Sequence, residues 1–168
     1  MACLDSCCEF FVAPEATSTA VSPYLNFEVS ANGTMLVYFC QPASDTQDKC
    51  WTPLPAYEWN AIKMAASLVE TPGTPIVPEI TEPTTWQIEY HLPWTLFEKY
   101  LKTGGSPTGG DAWSANFFKC ADETSHPHWG AWSSTFDHPS GRPAFHFPDW
   151  FGAITFEPEP PLASLHFL

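Results

Sequence analysis

Short apolar runs broken by turn residues follow one another along this chain, and only one of them carries helical spacing with any clarity. Cys7-Cys8-Glu9-Phe10-Phe11-Val12 is short, apolar and closed by Ala13-Pro14, which predicts a largely buried first strand. Two β-rich runs, 24–30 and 35–40, flank Ala31-Asn32-Gly33-Thr34. An Asn-Gly pair between such runs predicts a hairpin whose two central residues both take positive φ. Residues 41–60 contain Pro42, Pro53 and Pro55 and read as a long loop.

Ile62, Met64, Ala66 and Leu68 then alternate as a strand, with a helix as the alternative reading. Pro72, Pro75, Pro78 and Pro83 forbid regular structure, apart from an edge strand, until residues 85–91 resume a strand pattern. Pro93 and Thr95 open a short helix that presents Leu96, Phe97, Tyr100 and Leu101 on one side, and Gly104, Gly105, Gly109 and Gly110 end it. Residues 113–120, 128–133 and 150–156 supply the closing strands. Strands separated by turns, with one short helix, predict an all-β fold: a two-sheet antiparallel β-sandwich of jelly-roll or immunoglobulin-like kind. A single domain over 1–157 and a Pro-rich, acidic surface tail over 158–168 complete the expected organisation.

The same alternation sorts side chains by face. Cys8, Phe10 and Val12 share one side of the first strand; Cys7, Glu9 and Phe11 share the other, so Glu9 is expected to leave the core. Phe27 and Val29 point inward, while Tyr24, Asn26 and Glu28 lie on the opposite face. If the two strands pair, two carboxylates and an amide gather on one concave sheet face. Such groups can take hydrogen bonds from sugar hydroxyls, hold a cation, or serve as acid and base. Solvated sheet-face carboxylates are the plainer alternative. Trp129 and Trp132 stand three apart, so a strand there would place them on opposite faces, one in the core and one available as a flat apolar platform.

Composition narrows the partners. The 168 residues include eight Trp and thirteen Phe, too apolar for a disordered chain despite eighteen Pro. Six Lys and Arg against nineteen Asp and Glu leave a net charge of −13, which repels phosphate backbones and anionic lipid, so neither nucleic acid nor membrane is an expected partner. No apolar run is long enough for a membrane helix and no signal-peptide pattern opens the chain. That suits a soluble cytoplasmic protein, or a secreted one if the chain is trimmed. The six cysteines lack the C-x₂-C spacing of a zinc site and read mostly as small buried hydrophobes; Cys40 with Cys50 is a candidate loop staple in an oxidising compartment. His126, His128, His138 and His146 crowd the last third, and His126-Pro127-His128 is a spacing at which two imidazoles can meet one metal ion. Neither a nucleophile elbow, nor an H-E-x-x-H helix, nor a phosphate-binding glycine loop occurs.

Several segments, taken in order, resemble the family 9 carbohydrate-binding modules. Asp5-Ser6-Cys7-Cys8-Glu9-Phe10-Phe11 resembles that family's D-S-x-x-E-x-F segment, and Tyr24-Leu25-Asn26-Phe27-Glu28-Val29 with Asn32-Gly33 resembles its Y-x-N-F-E hairpin. Leu92-Pro93-Trp94 is similar to its I-P-W strand end, and 113–117, 129–133 and 145–152 are similar to its closing strands. The resemblance implies a β-sandwich that binds a sugar or a polysaccharide end, with a structural calcium ion held by carboxylates and carbonyls and no other cofactor required. In that family two aromatic side chains clamp the sugar. One comes from just before D-S-x-x-E, where this chain has no aromatic residue; the other comes from the late tryptophan strand, matched by Trp129 or Trp132. The family also has strands ahead of D-S-x-x-E, where this chain has four residues, so an edge of the sandwich is expected to be missing, replaced, or supplied by another chain.

Three readings follow. The leading one is a non-catalytic carbohydrate binder using Glu9, Phe11, Tyr24, Asn26, Glu28, Trp129 and Trp132. The second is a small enzyme of isomerase, cyclase or lyase type that acts on an apolar molecule in the same sandwich, with Glu9, Glu28, His128 or His146 as acid or base. The third is a structural subunit whose exposed sheet edge pairs with a partner, a second copy included.

Overall fold

A computed structural model describes residues 2–15, 19, 21–42, 49–135, 137, 139 and 145–158. Among these residues nine strands form two antiparallel sheets, with few helices, in an all-β sandwich. The strands are β1 (Cys7–Ala13), β2 (Tyr24–Ser30), β3 (Met35–Pro42), β4 (Lys49–Pro53), β5 (Lys63–Ala66), β6 (Ile88–His91), β7 (Ala112–Ala121), β8 (His128–Ala131) and β9 (Gly152–Thr155). The large sheet runs β4-β3-β2-β1-β7-β8, and β9 also pairs with β7. The ten-residue β7 takes β9 along Ala112–Ala115 and β8 along Phe118–Ala121. The second sheet is the β5–β6 pair.

One face of the large sheet carries the main core. Val12, Leu25, Phe27, Val29, Val37, Trp113 and Ala115 pack there against α2 (Trp94–Leu101) and against Met64, Ile88 and Tyr90 of the small sheet. The expected helix is therefore present, with Leu96, Phe97 and Leu101 buried. It stops earlier than its glycines suggested, because Lys102 takes the left-handed conformation at φ 58. A single helical turn, α1 (Ala56–Trp59), precedes β5.

Two local expectations change. The β2–β3 connection is a hairpin, but among the described non-glycine residues only Lys102 has positive φ, so the turn is not the two-residue kind with both centres left-handed. Gly33 N–H bonds to the Ser30 carbonyl at 2.7 Å and Gly33 alone takes positive φ, at 78°, which is a turn closed by a left-handed glycine. A Cβ on Gly33 would stand 2.9 Å from Cβ of Pro72, so the tip also requires glycine sterically. Second, the stretch read as loop contains β4, an edge strand whose Pro53 lacks a donor that only a central strand would need.

The β3–β4 register runs against the Cys40–Cys50 staple: Cys40 stands opposite Trp51 and Cys50 opposite Gln41, which puts the two positions on opposite faces of the sheet.

Candidate functional site

The face of the large sheet turned away from the main core has a different character. In β2 all seven residues are buried, so the polar members of its alternation, Asn26, Glu28 and Ser30, are enclosed along with the apolar ones. The β1–β2 register places Glu9 opposite Glu28 and Phe11 opposite Asn26. The sequence thus located the two carboxylates and the amide on one face, but had Glu9 leave the core, with solvated carboxylates as one alternative; Glu9 is 4% exposed, Glu28 7% and Asn26 1%.

The cover is apolar and comes from both ends. A 3₁₀ turn at Ala2–Leu4 buries Ala2 against Cys7 and Cys120. Phe145, His146 and Phe151 pack over Phe11, Tyr24 and Phe118 at the other end. Phe11 and Tyr24, both expected among ligand contacts, are at 0% and 1% exposure and belong to this second core. His146 is fixed there too: Tyr24 Oη lies 2.8 Å from its Nδ1, and its ring stacks on Trp51 at 4.4 Å.

Electrostatics follow from enclosure. Burial, then the Glu28 charge, then that of Asp122 push the Glu9 carboxyl up to about 8, against a smaller opposing pull from Lys119. Burial also raises Glu28, partly offset by the hydrogen bond that Asn26 Nδ2 donates to Glu28 Oε1 at 3.0 Å. Two facing carboxylates in a desolvated place cannot both ionise cheaply, so the pair retains a proton near neutral pH. Asn26 Oδ1 is buried without a hydrogen-bond partner, a free acceptor beside them.

At the edge of this floor stands Trp129. It lies opposite Cys120, hence on the same face as Cys7 and Glu9, and its ring is 45% exposed. Its indole N–H donates to Asp122 Oδ1 at 2.7 Å, which fixes the ring plane. Asp122 also accepts from the Cys120 thiol at 3.1 Å and is the charge that reaches both glutamates.

Trp132 is on the other face. Its ring meets Phe117 edge-on at 5.9 Å, and a Cβ on Gly152 would come within 2.7 Å of it. The opposite-face expectation for the two tryptophans holds, but neither is core, since Trp132 is 55% exposed. Among the other candidates, His128 is exposed at the start of β8 with its Nδ1 2.8 Å from the His126 carbonyl, away from the glutamates. His138 lies outside the described residues.

Sequence reasoning missed Asp122 and Trp51. Asp122 continues the period-two series Asn116, Phe118, Cys120 one step past the strand, so its face was readable in principle. Trp51 was hidden because the prolines around β4 concealed the strand. Among the described residues no group of three or more His, Cys, Asp or Glu is placed to hold a metal ion. Neither the expected calcium ion nor the His126–His128 spacing is matched by such a group. No helix of the described chain is long and apolar enough to cross a membrane.

A sequence profile of carbohydrate-binding family 9 matches residues 2–156. The chain belongs to carbohydrate-binding family 9. A crystal structure of a candidate carbohydrate-binding protein from Bacteroides uniformis shares the fold of this family 9 chain at a TM-score of 0.71 and 26% identity. The alignment covers 93% of the present chain and 63% of that one, so this family 9 domain spans less than two thirds of its length. No curated protein matches the family 9 chain at a significant level.

Proposed function

We propose that this family 9 domain binds a carbohydrate on the face formed by Glu9, Asn26 and Glu28, with Trp129 as the stacking platform. The observation that carries the reading is the cross-strand Glu9–Glu28 pair, in register and beside the unpartnered Asn26 Oδ1, next to an exposed tryptophan whose plane is fixed by Asp122. The CH face of a pyranose is apolar and its rim is studded with hydroxyls. A flat indole serves the first and carboxylate and amide groups serve the second. Because the glutamate pair retains a proton, it can both donate to and accept from sugar hydroxyls, which suits a neutral ligand and the −13 charge of the chain.

The three polar residues of this face are each under 8% exposed, so little of them is open to a ligand. That favours a single sugar ring or a chain end over a long run of polysaccharide. Trp51 on β4, 50% exposed and stacked on His146, stands on the same face and is the candidate for an outer contact.

Calorimetric titration at pH 7 with glucose, cellobiose and xylo-oligosaccharides tests this. At least one gives saturable heat, and Trp129→Ala and Glu28→Gln each weaken it by about tenfold or more, as expected from losing a stacked ring or a charged hydrogen bond. No heat from any of these sugars at millimolar concentration would remove the proposal.

A further inference from the structure

On the opposite face of the large sheet, the two layers do not close on each other. Between them lies a groove of about 650 Å³, within the range of roughly 300–1,000 Å³ typical of small-molecule sites. Its floor is Phe10, Trp113 and Phe117; Ile88 and Tyr90 of β6 form one wall, and Trp94 at the start of α2 closes an end. We propose that this groove is a second binding site, for a neutral, ring-containing apolar small molecule. It lies across the large sheet from Asn26, Glu28 and Trp129, and of the carbohydrate face's residues only Glu9 also borders it.

The occupant follows from what lines the groove. Phe117 and Trp94 are 48% and 39% exposed, two large rings left facing water in a concave setting. Phe10 stacks on Phe117 at 4.8 Å, while Trp94 meets Trp113 edge-on at 6.0 Å and 84°. The groove thus offers ring faces at one part and ring edges at another, an arrangement that receives a flat ring system by stacking and T-contacts. A sugar would find too few polar partners here. The polar lining of the groove comes from Glu9, Glu89, Tyr90 and His91, and burial keeps the Tyr90 hydroxyl protonated. Anionic amphiphiles such as fatty acids are disfavoured by the net charge of −13 and by Glu89 on the same wall. Neutral aromatic or fused-ring compounds remain.

The probe is N-phenyl-1-naphthylamine, neutral and brighter when it leaves water. Wild-type protein that light scattering shows to be monomeric gives a saturable rise in emission, displaced by naphthalene but not by laurate. Phe117→Ser and Trp94→Ser, both at exposed rings, weaken the probe by about tenfold, in line with losing one aromatic contact surface. Trp129→Ala and Glu28→Gln leave it unchanged, so failure here and failure of the carbohydrate reading are separable. A non-saturable signal, wild-type affinity in both groove variants, displacement by laurate as effective as by naphthalene, or a signal arising only in a dimer that buries the groove would each overturn the proposal.

Discussion

At the residue scale, the most consequential side chain is Glu9. Its face was legible from the alternation Cys7, Glu9, Phe11, but its burial was not. Strand period tells which side a residue takes, whereas its exposure depends on what else packs there, and the cover comes from Ala2 and from residues 145–151, distant in sequence. The same limit explains Phe11 and Tyr24, read as ligand contacts and found in a core.

Burial has a measurable consequence. With a folded pKa near 8 against an ordinary carboxylate value near 4.5, Glu9 holds its proton in the native state while the unfolded chain has lost it. Stability is therefore greatest below about pH 4.5 for this group and declines as pH rises towards 8, by an amount on the order of 4 kcal/mol at most. Glu9→Gln removes that slope. Thermal denaturation is expected to show the variant gaining on the wild type at pH 8 and matching it more closely at pH 5. A larger gain at pH 5 than at pH 8 would show that Glu9 is not held protonated.

At the element scale, strands that alternate cleanly were readable and those interrupted by proline were not. β1, β2, β3 and β7 follow from period-two runs of β-branched and aromatic residues. β4 lies between Pro42 and Pro55 and includes Pro53; an edge position makes this tolerable, but edge status is a property of the assembled sheet. The end of α2 shows a similar gap. Its register was clear from Leu96, Phe97, Tyr100 and Leu101, while the residue that breaks it, Lys102, belongs to no helix-stopping type.

Lys102 occupies the left-handed region at a cost that glycine does not incur, offset in part by the bond from its Nζ to the Lys99 carbonyl at 2.7 Å. Lys102→Gly is expected to stabilise the protein by about 1 kcal/mol in chemical denaturation. Destabilisation would show that the side-chain cap outweighs the backbone strain.

At the scale of the whole molecule, a wide sheet divides two chemistries. One face carries an apolar core and groove beneath a two-stranded second layer; the other carries sunken carboxylates between apolar covers. Family membership was legible in the order of motifs from Asp5 to Phe156, because those motifs mark turns and strand ends that the fold needs. The groove was not, because it arises where the second layer stops short of the first.

The assignment of the sugar to the carboxylate face is the central claim, and the eight indole N–H signals in the nuclear magnetic resonance spectrum test it most directly. With the Trp129 and Trp132 resonances assigned by single Trp→Phe variants, titration with the best-binding sugar is expected to shift Trp129 and leave Trp132 in place. A shift at Trp132 with Trp129 unmoved would contradict it.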